Sequence, residues 1–189
     1  MKNLTICIDI DGTITNPYHF ISYLNEMYNR DITEADCTTV NWSKLYDEDS
    51  DKLIEKFHDK YMHSYEEAEV ITEAKEVINE LYNHNNIYFV TARNSQLNDI
   101  TTKWLDKNGL SNIEIYLLGS NHKIDKAKEL NCEIFIEDNP MNAIQLAQGG
   151  IKVLLIDTNY NKDINHKNII RVNNWEDIKD VIENLYVKD

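Results

Sequence analysis

Short apolar runs and stretches of helical spacing take turns along most of this chain. Leu4-Thr5-Ile6-Cys7-Ile8 is mostly apolar and short enough for one buried strand, and Gly12 marks the turn after it. From Asn16 to about Ser64 strand character disappears. Phe20, Ile21, Leu24, Met27 and Tyr28 fall at helical spacing, as do Leu53, Ile54, Phe57 and Tyr61. Between these lie a loop with Trp42 and Tyr46 and the acidic run Asp47-Glu48-Asp49-Ser50-Asp51, which predicts a solvated turn or helix start. Next, Val70, Ile71, Ala74, Val77, Ile78 and Leu81 predict an apolar helical stripe, and Ile87–Val90 a buried strand. Leu97, Ile100, Thr101, Trp104 and Leu105 predict a helix stopped at Asn108-Gly109. Strands follow at Ile113–Leu118, Glu133–Ile136 and Val153–Ile156, with a short edge strand at Ile169–Val172. The intervening helices carry Ile124, Ala127 and Leu130, then Met141 to Gln148. A final helix carries Trp175, Ile178, Val181, Ile182 and Leu185.

Repeated strand–helix alternation with near-continuous apolar strands predicts an α/β fold, a Rossmann-like doubly wound parallel sheet covered on both faces. The helical stretch is expected as a small cap inserted after the first strand. Residues 16–69 would form that cap, and residues 1–15 and 70–189 the core domain. Pro17 and Pro140 are the only prolines, which argues against flexible linkers. In such a sheet ligands gather at the carboxyl ends of the strands.

Composition narrows the function classes. The chain has 189 residues, 42% of them hydrophobic and 28% charged, enough for one sizeable core. A formal charge of −14 repels polyanions and argues against a nucleic-acid polymer as partner. Cys7, Cys37 and Cys132 lack a CxxC pair and fit a reducing, cytoplasmic location better than a disulfide or zinc framework. The N-terminus reaches Asp9 too early for a signal peptide, and no apolar run reaches transmembrane length, so no membrane is expected.

The chemistry begins where the first strand ends, in Asp9-Ile10-Asp11-Gly12-Thr13. Two carboxylates at a strand end cost desolvation and mutual repulsion unless a cation offsets them, and Mg²⁺ would. An EF-hand calcium loop fails, because its glycine and glutamate positions hold Ile14 and Phe20. Other strand ends and helix starts add polar groups. Thr91-Ala92-Arg93 follows one strand, where a hydroxyl and backbone N–H groups can meet a phosphate and Arg93 can add charge. Lys123 and Lys126 lie one turn apart on a short helix, and either could supply a cation. Glu137-Asp138-Asn139 ends a further strand. No Walker loop, GxGxxG, GxSxG or histidine metal pair occurs.

In this order the four motifs resemble those of the haloacid-dehalogenase-type phosphatases, across roughly residues 4 to 140. The short helical insertion, the adjacent acid pair and the length are most similar to the cytosolic type C 5'-deoxyribonucleotidase branch. The resemblance implies a Mg²⁺-dependent phosphomonoesterase with Asp9 as nucleophile, Asp11 as acid and base, and Thr91 and Lys123 stabilising the transferring phosphoryl group. It implies a metal site of Asp9, Asp138 and the backbone carbonyl of Asp11, with Glu137 orienting water or Lys123. Gly12, Thr13, Ala92 and Arg93 would bind phosphate or substrate. The implied substrate is a small phosphate ester such as a (deoxy)nucleoside monophosphate. Thr91-Ala92-Arg93 differs from the second motif of the deoxyribonucleotidases, which leaves sugar phosphates open. Tyr18, Phe20, Trp42 and Tyr46 could stack on a base or fill the cap interior. Alternatives are a phosphotransferase of the same fold and a receiver-like regulatory domain that binds Mg²⁺ and phosphate; a receiver lacks an insertion of this size. A monomer or homodimer is expected.

Overall fold

Along the first strand, Ile6 and Ile8 join one buried cluster and Cys7 another, because side chains alternate between the two faces of a sheet. In the computed structural model, which describes residues 3–186 with the side chains of 185 and 186 excepted, this strand is β1 (Thr5–Ile8). It belongs to a six-stranded sheet with β2 (Asn86–Thr91), β3 (Glu114–Leu117), β4 (Ile134–Glu137), β5 (Lys152–Ile156) and β6 (Ile169–Val172). The order is β3-β2-β1-β4-β5-β6 and every pairing is parallel. The predicted strands are therefore all present, and Ile169–Val172 is an edge.

Ile6, Ile8, Ile87, Phe89, Ile134, Ile136 and Leu154 face one cluster, which α4 (Thr72–Tyr82), α5 (Asn98–Lys107) and α8 (Trp175–Tyr186) close. Cys7, Val90, Phe135, Val153 and Leu155 face the other, under α6 (Ile124–Glu129) and α7 (Pro140–Gln148). Each large aliphatic or aromatic side chain taken out of water there contributes about 1.5–3 kcal/mol. The side chain of Leu185, expected on the last apolar face, lies outside the described residues. The three cysteines are buried and free. Among the described residues no helix is long and apolar enough to cross a membrane.

Between β1 and β2 the chain forms α1 (Ile21–Tyr28), α2 (Ser50–Tyr61), α3 (Ser64–Glu67) and two short 3₁₀ turns. This insertion has its own cluster, in which Leu24, Tyr46, Phe57 and Tyr61 are buried. The acidic run starts α2 as expected: Asp49 caps it, accepting the N–H groups of Asp51 and Lys52. Val70 and Ile71 differ from the helical stripe predicted for them. Val70 pairs with Thr15 in an antiparallel bridge and the Ile71 N–H donates to Ile14 O, so both are extended and α4 starts at Thr72.

The strand order reverses direction between β1 and β4, leaving a crevice at their carboxyl ends. Asp9 follows β1 and bonds across to β4 through its N–H and Ile136 O. Glu137 closes β4 and Asp138 follows it.

Candidate active site

Asp9, Glu137 and Asp138 offer carboxylate oxygens within 4.8 Å of one another, all buried. Lys123, which directly precedes α6, sends its side chain into this group. Its Nζ lies 2.8 Å from Asp9 Oδ1 and 2.8 Å from Glu137 Oε2, and the residue is fully buried. Lys126 instead pairs with Glu129 at 2.7 Å and lies over the Tyr116 ring. Burial thus separates two lysines that sequence spacing left equivalent.

The electrostatics follow from that crowding. Burial pushes the Asp9 carboxyl up to about 7; Lys123 pulls it down, and Glu137 pushes it up again. Asp138 is likewise raised to about 7, by burial and by the neighbouring Asp9 charge. Burial opposes the charge on Lys123, but Asp9 and Glu137 outweigh it and hold the ammonium above the usual lysine range. Glu137 is fully engaged: Oε2 accepts from Lys123, and Oε1 from the Asn139 N–H at 3.0 Å and Asn142 Nδ2 at 3.2 Å. Its two oxygens thus tie the Lys123 ammonium to the start of α7.

Asp138 is gripped from two sides. Thr13 Oγ1 donates to its Oδ1 at 2.9 Å and the Tyr160 hydroxyl donates to its Oδ2. Gly12 makes room for this contact. Its φ is 84°, and a Cβ there would stand 2.5 Å from Asp138 Oδ2. Gly12→Ala should cost about 1–3 kcal/mol in backbone strain alone, and also displace Asp138. Thermal melting with and without Mg²⁺ checks both effects; an unchanged profile would show that the turn tolerates a side chain.

Asp11 faces the open side, with its side chain 29% exposed. Arg93 holds it in a fork, Nε to Oδ2 at 2.9 Å and the terminal NH2 group to Oδ1 at 2.7 Å, while its other terminal nitrogen donates to Thr101 Oγ1 at 3.0 Å. The Tyr65 and Trp104 rings flank the guanidinium at 4.9 and 5.4 Å. Thr91, which is buried, accepts the Arg93 N–H on its hydroxyl oxygen at 3.2 Å. Gly12, Thr13 and Arg93, expected at the phosphate, therefore turn donors inward. The Gly12 N–H goes to Thr15 Oγ1, the Thr13 N–H to Ile10 O, and the Arg93 fork to Asp11. Ala92 does line the open space.

That space is a cavity of about 650 Å³ between strand ends and insertion. The core side contributes Asp11, Ala92, Asn94 and Ser120; the insertion contributes Phe20, Trp42, Phe57, His58 and Tyr65. Ile54, counted in a helical stripe by its spacing, is 51% exposed and borders this cavity. Tyr46 is insertion core, beside Tyr28 and donating to Asn25. Tyr18 stacks on Trp42.

Sequence reasoning missed Tyr160, Thr101 and Asn142. Tyr160 follows β5, and the rule that every strand end of a parallel sheet can feed the site would have pointed there.

The acidic group fits a hard divalent cation. Its donors are all carboxylate oxygens, and buried Asp9 Oδ1 has the Lys123 charge nearby but no directed hydrogen bond. The family model described as "5' nucleotidase, deoxy (Pyrimidine), cytosolic type C protein" matches residues 3–188. A nucleotidase of Clostridium acetobutylicum is 40% identical over 189 residues, covering 100% of this chain and 98% of that protein. Among solved structures, a haloacid-dehalogenase-type hydrolase of Bacillus subtilis bound to magnesium superposes with a TM-score of 0.64 at 17% identity, covering 97% of this chain and 100% of that one. A hydrolase of the same superfamily from Deinococcus radiodurans, with bound phosphate and sodium, gives 0.67 at 10% identity, covering 98% and 97%. The chain shares the fold of these hydrolases and, by the family model and the 40% identical nucleotidase, belongs to the cytosolic type C 5'-nucleotidase family.

Proposed function

We propose that this phosphatase is Mg²⁺-dependent, carries the phosphoryl group on Asp9, and acts on small esters such as (deoxy)nucleoside monophosphates. The observation that carries this reading is the buried Asp9–Lys123–Glu137 triad beside Asp138, with Asp11 facing an aromatic-walled cavity.

Asp9 attacks phosphorus, the bond from phosphorus to the ester oxygen breaks, and Asp11 gives its proton to the departing alkoxide. Water then attacks the aspartyl-phosphate, Asp11 takes the water's proton, and Asp9 leaves as a carboxylate with inorganic phosphate. Bound at Asp9, Asp138 and the backbone carbonyl of Asp11, Mg²⁺ would supply positive charge against the repulsion of two approaching anions. Lys123 offsets charge on the equatorial oxygens, and Glu137 keeps it aimed. Thr91 already accepts a hydrogen bond, which leaves its O–H to donate to phosphate. The Arg93 fork fixes the direction in which Asp11 faces the cavity.

The cavity volume suits a nucleoside, and Phe20, Trp42 and Tyr65 offer flat apolar faces to a base. The test is phosphate release by the purified protein across nucleoside monophosphates and sugar phosphates, with Mg²⁺ or with chelator. Mg²⁺-dependent release with nucleotides preferred is expected. A preference for sugar phosphates would overturn the substrate assignment, and release from no ester would overturn the whole reading.

A further inference from the structure

We propose that Tyr160 is a positioning residue: its hydroxyl holds the Asp138 carboxylate in the orientation that receives the divalent cation. The proposal rests on the Mg²⁺ reading above. Tyr160 is 8% exposed, on the loop that follows β5, and donates to Asp138 Oδ2. Its hydroxyl also lies against the turn after β1, 3.1 Å from where a Cβ on Gly12 would stand. Tyr160 thus reaches the carboxyl ends of both strands that flank the crevice.

Thr13 already satisfies Oδ1 of Asp138, and Asn161 Nδ2 ties down the Asp138 backbone carbonyl at 2.8 Å. The second donor therefore adds orientation: with both oxygens held, the plane of the carboxylate is set. Each oxygen still has a lone pair for a metal.

The loop is built to keep the phenol in place. Arg171 on β6 donates to Asn161 Oδ1 at 2.7 Å, to Asn161 O at 2.8 Å and to Ile164 O at 3.1 Å, and it pairs with Asp157 at 2.8 Å. Asn161 Nδ2 also donates to Ile156 O at 2.8 Å. On the other side Tyr18 meets the Tyr160 ring edge-on at 6.0 Å, and its hydroxyl accepts the Asn159 N–H at 2.8 Å. Tyr18 in turn stacks on Trp42, a wall of the substrate cavity, so the brace of the metal ligand is continuous with the helical insertion.

Hydrogen-bond partners of metal ligands typically change metal affinity 10–100-fold. Tyr160→Phe keeps the ring and removes the donor. Mg²⁺ titrated calorimetrically into the full chain, without substrate, should bind about tenfold more weakly, while the apo melting temperature holds. Tyr160→Leu, which also removes the ring, separates the roles. If Mg²⁺ binds equally to wild type and Tyr160→Phe, or weakens only in Tyr160→Leu along with melting, the residue is structural and the proposal fails. Should the Phe variant not fold, Tyr18→Leu loosens the same ring from a half-buried position. A loss of about threefold or more in Mg²⁺ affinity supports the proposal, and unchanged affinity overturns it. A wild-type chain that binds no Mg²⁺ would instead defeat the metal reading itself.

Discussion

Asp9→Asn should lower Mg²⁺-dependent phosphate release on the order of 10⁴-fold or more, because a carboxamide cannot take the phosphoryl group. The substitution is nearly isosteric. It removes a charge whose burial holds its carboxyl well above the ordinary aspartate range. Lys123 keeps Glu137 as a partner at 2.8 Å, so no buried cation is orphaned. Melting temperature should therefore hold or rise while turnover vanishes, the pattern of a group kept for chemistry at some cost in stability. Initial rates beside a melting curve check both halves. Turnover within about tenfold of wild type would place the nucleophile elsewhere.

The largest loss of stability is expected for Lys123→Met. The ammonium is fully buried between Asp9 and Glu137, so removing it leaves two carboxylates facing each other without compensation. Breaking a buried ion pair from one side costs about 3–5 kcal/mol. For a domain of this size that lowers melting by roughly 10 °C. Glu137→Gln in the same chain should return part of the loss, since one of the orphaned charges goes with it. Lys126→Met is the control: its ammonium pairs with the exposed Glu129, so the loss should stay within about 1 kcal/mol. Equal melting of the two single variants would show that the buried cluster is not held by this lysine.

The sheet was legible because its four inner strands are largely buried on both faces and so read as apolar runs, as in Ile87-Tyr88-Phe89-Val90. The acidic centre was legible because four of its parts sit at strand ends or helix starts, positions that the alternation locates. What stayed hidden depends on tertiary approach. Helical spacing alone does not separate Lys123 from Lys126; the fold, with α6 packed beside α7, buries only Lys123 at the head of the helix. Arg93 looks like a phosphate ligand from its place after β2, yet Asp11 captures its fork across 82 residues. Tyr160 meets Asp138 across 22 residues, from a loop whose sequence carries no motif. Val70 and Ile71 kept an apolar rhythm compatible with helix, and the bridge to Thr15 decided otherwise.

That bridge has a consequence for how such a protein can change over time. Thr15 and Val70 pair side by side, so the helical insertion enters and leaves the core through one narrow neck. A segment whose two ends already touch closes its loop at the neck. Lengthening or shortening it changes the closure entropy only slowly, by about 0.6 kcal/mol per doubling. The insertion also carries its own buried cluster, separate from those of the sheet. The neck therefore works as a socket: a segment of different length and shape could be exchanged there with every strand left in register. The wall of the cavity can drift in the replaceable part while the acids at the switch point stay where the sheet holds them.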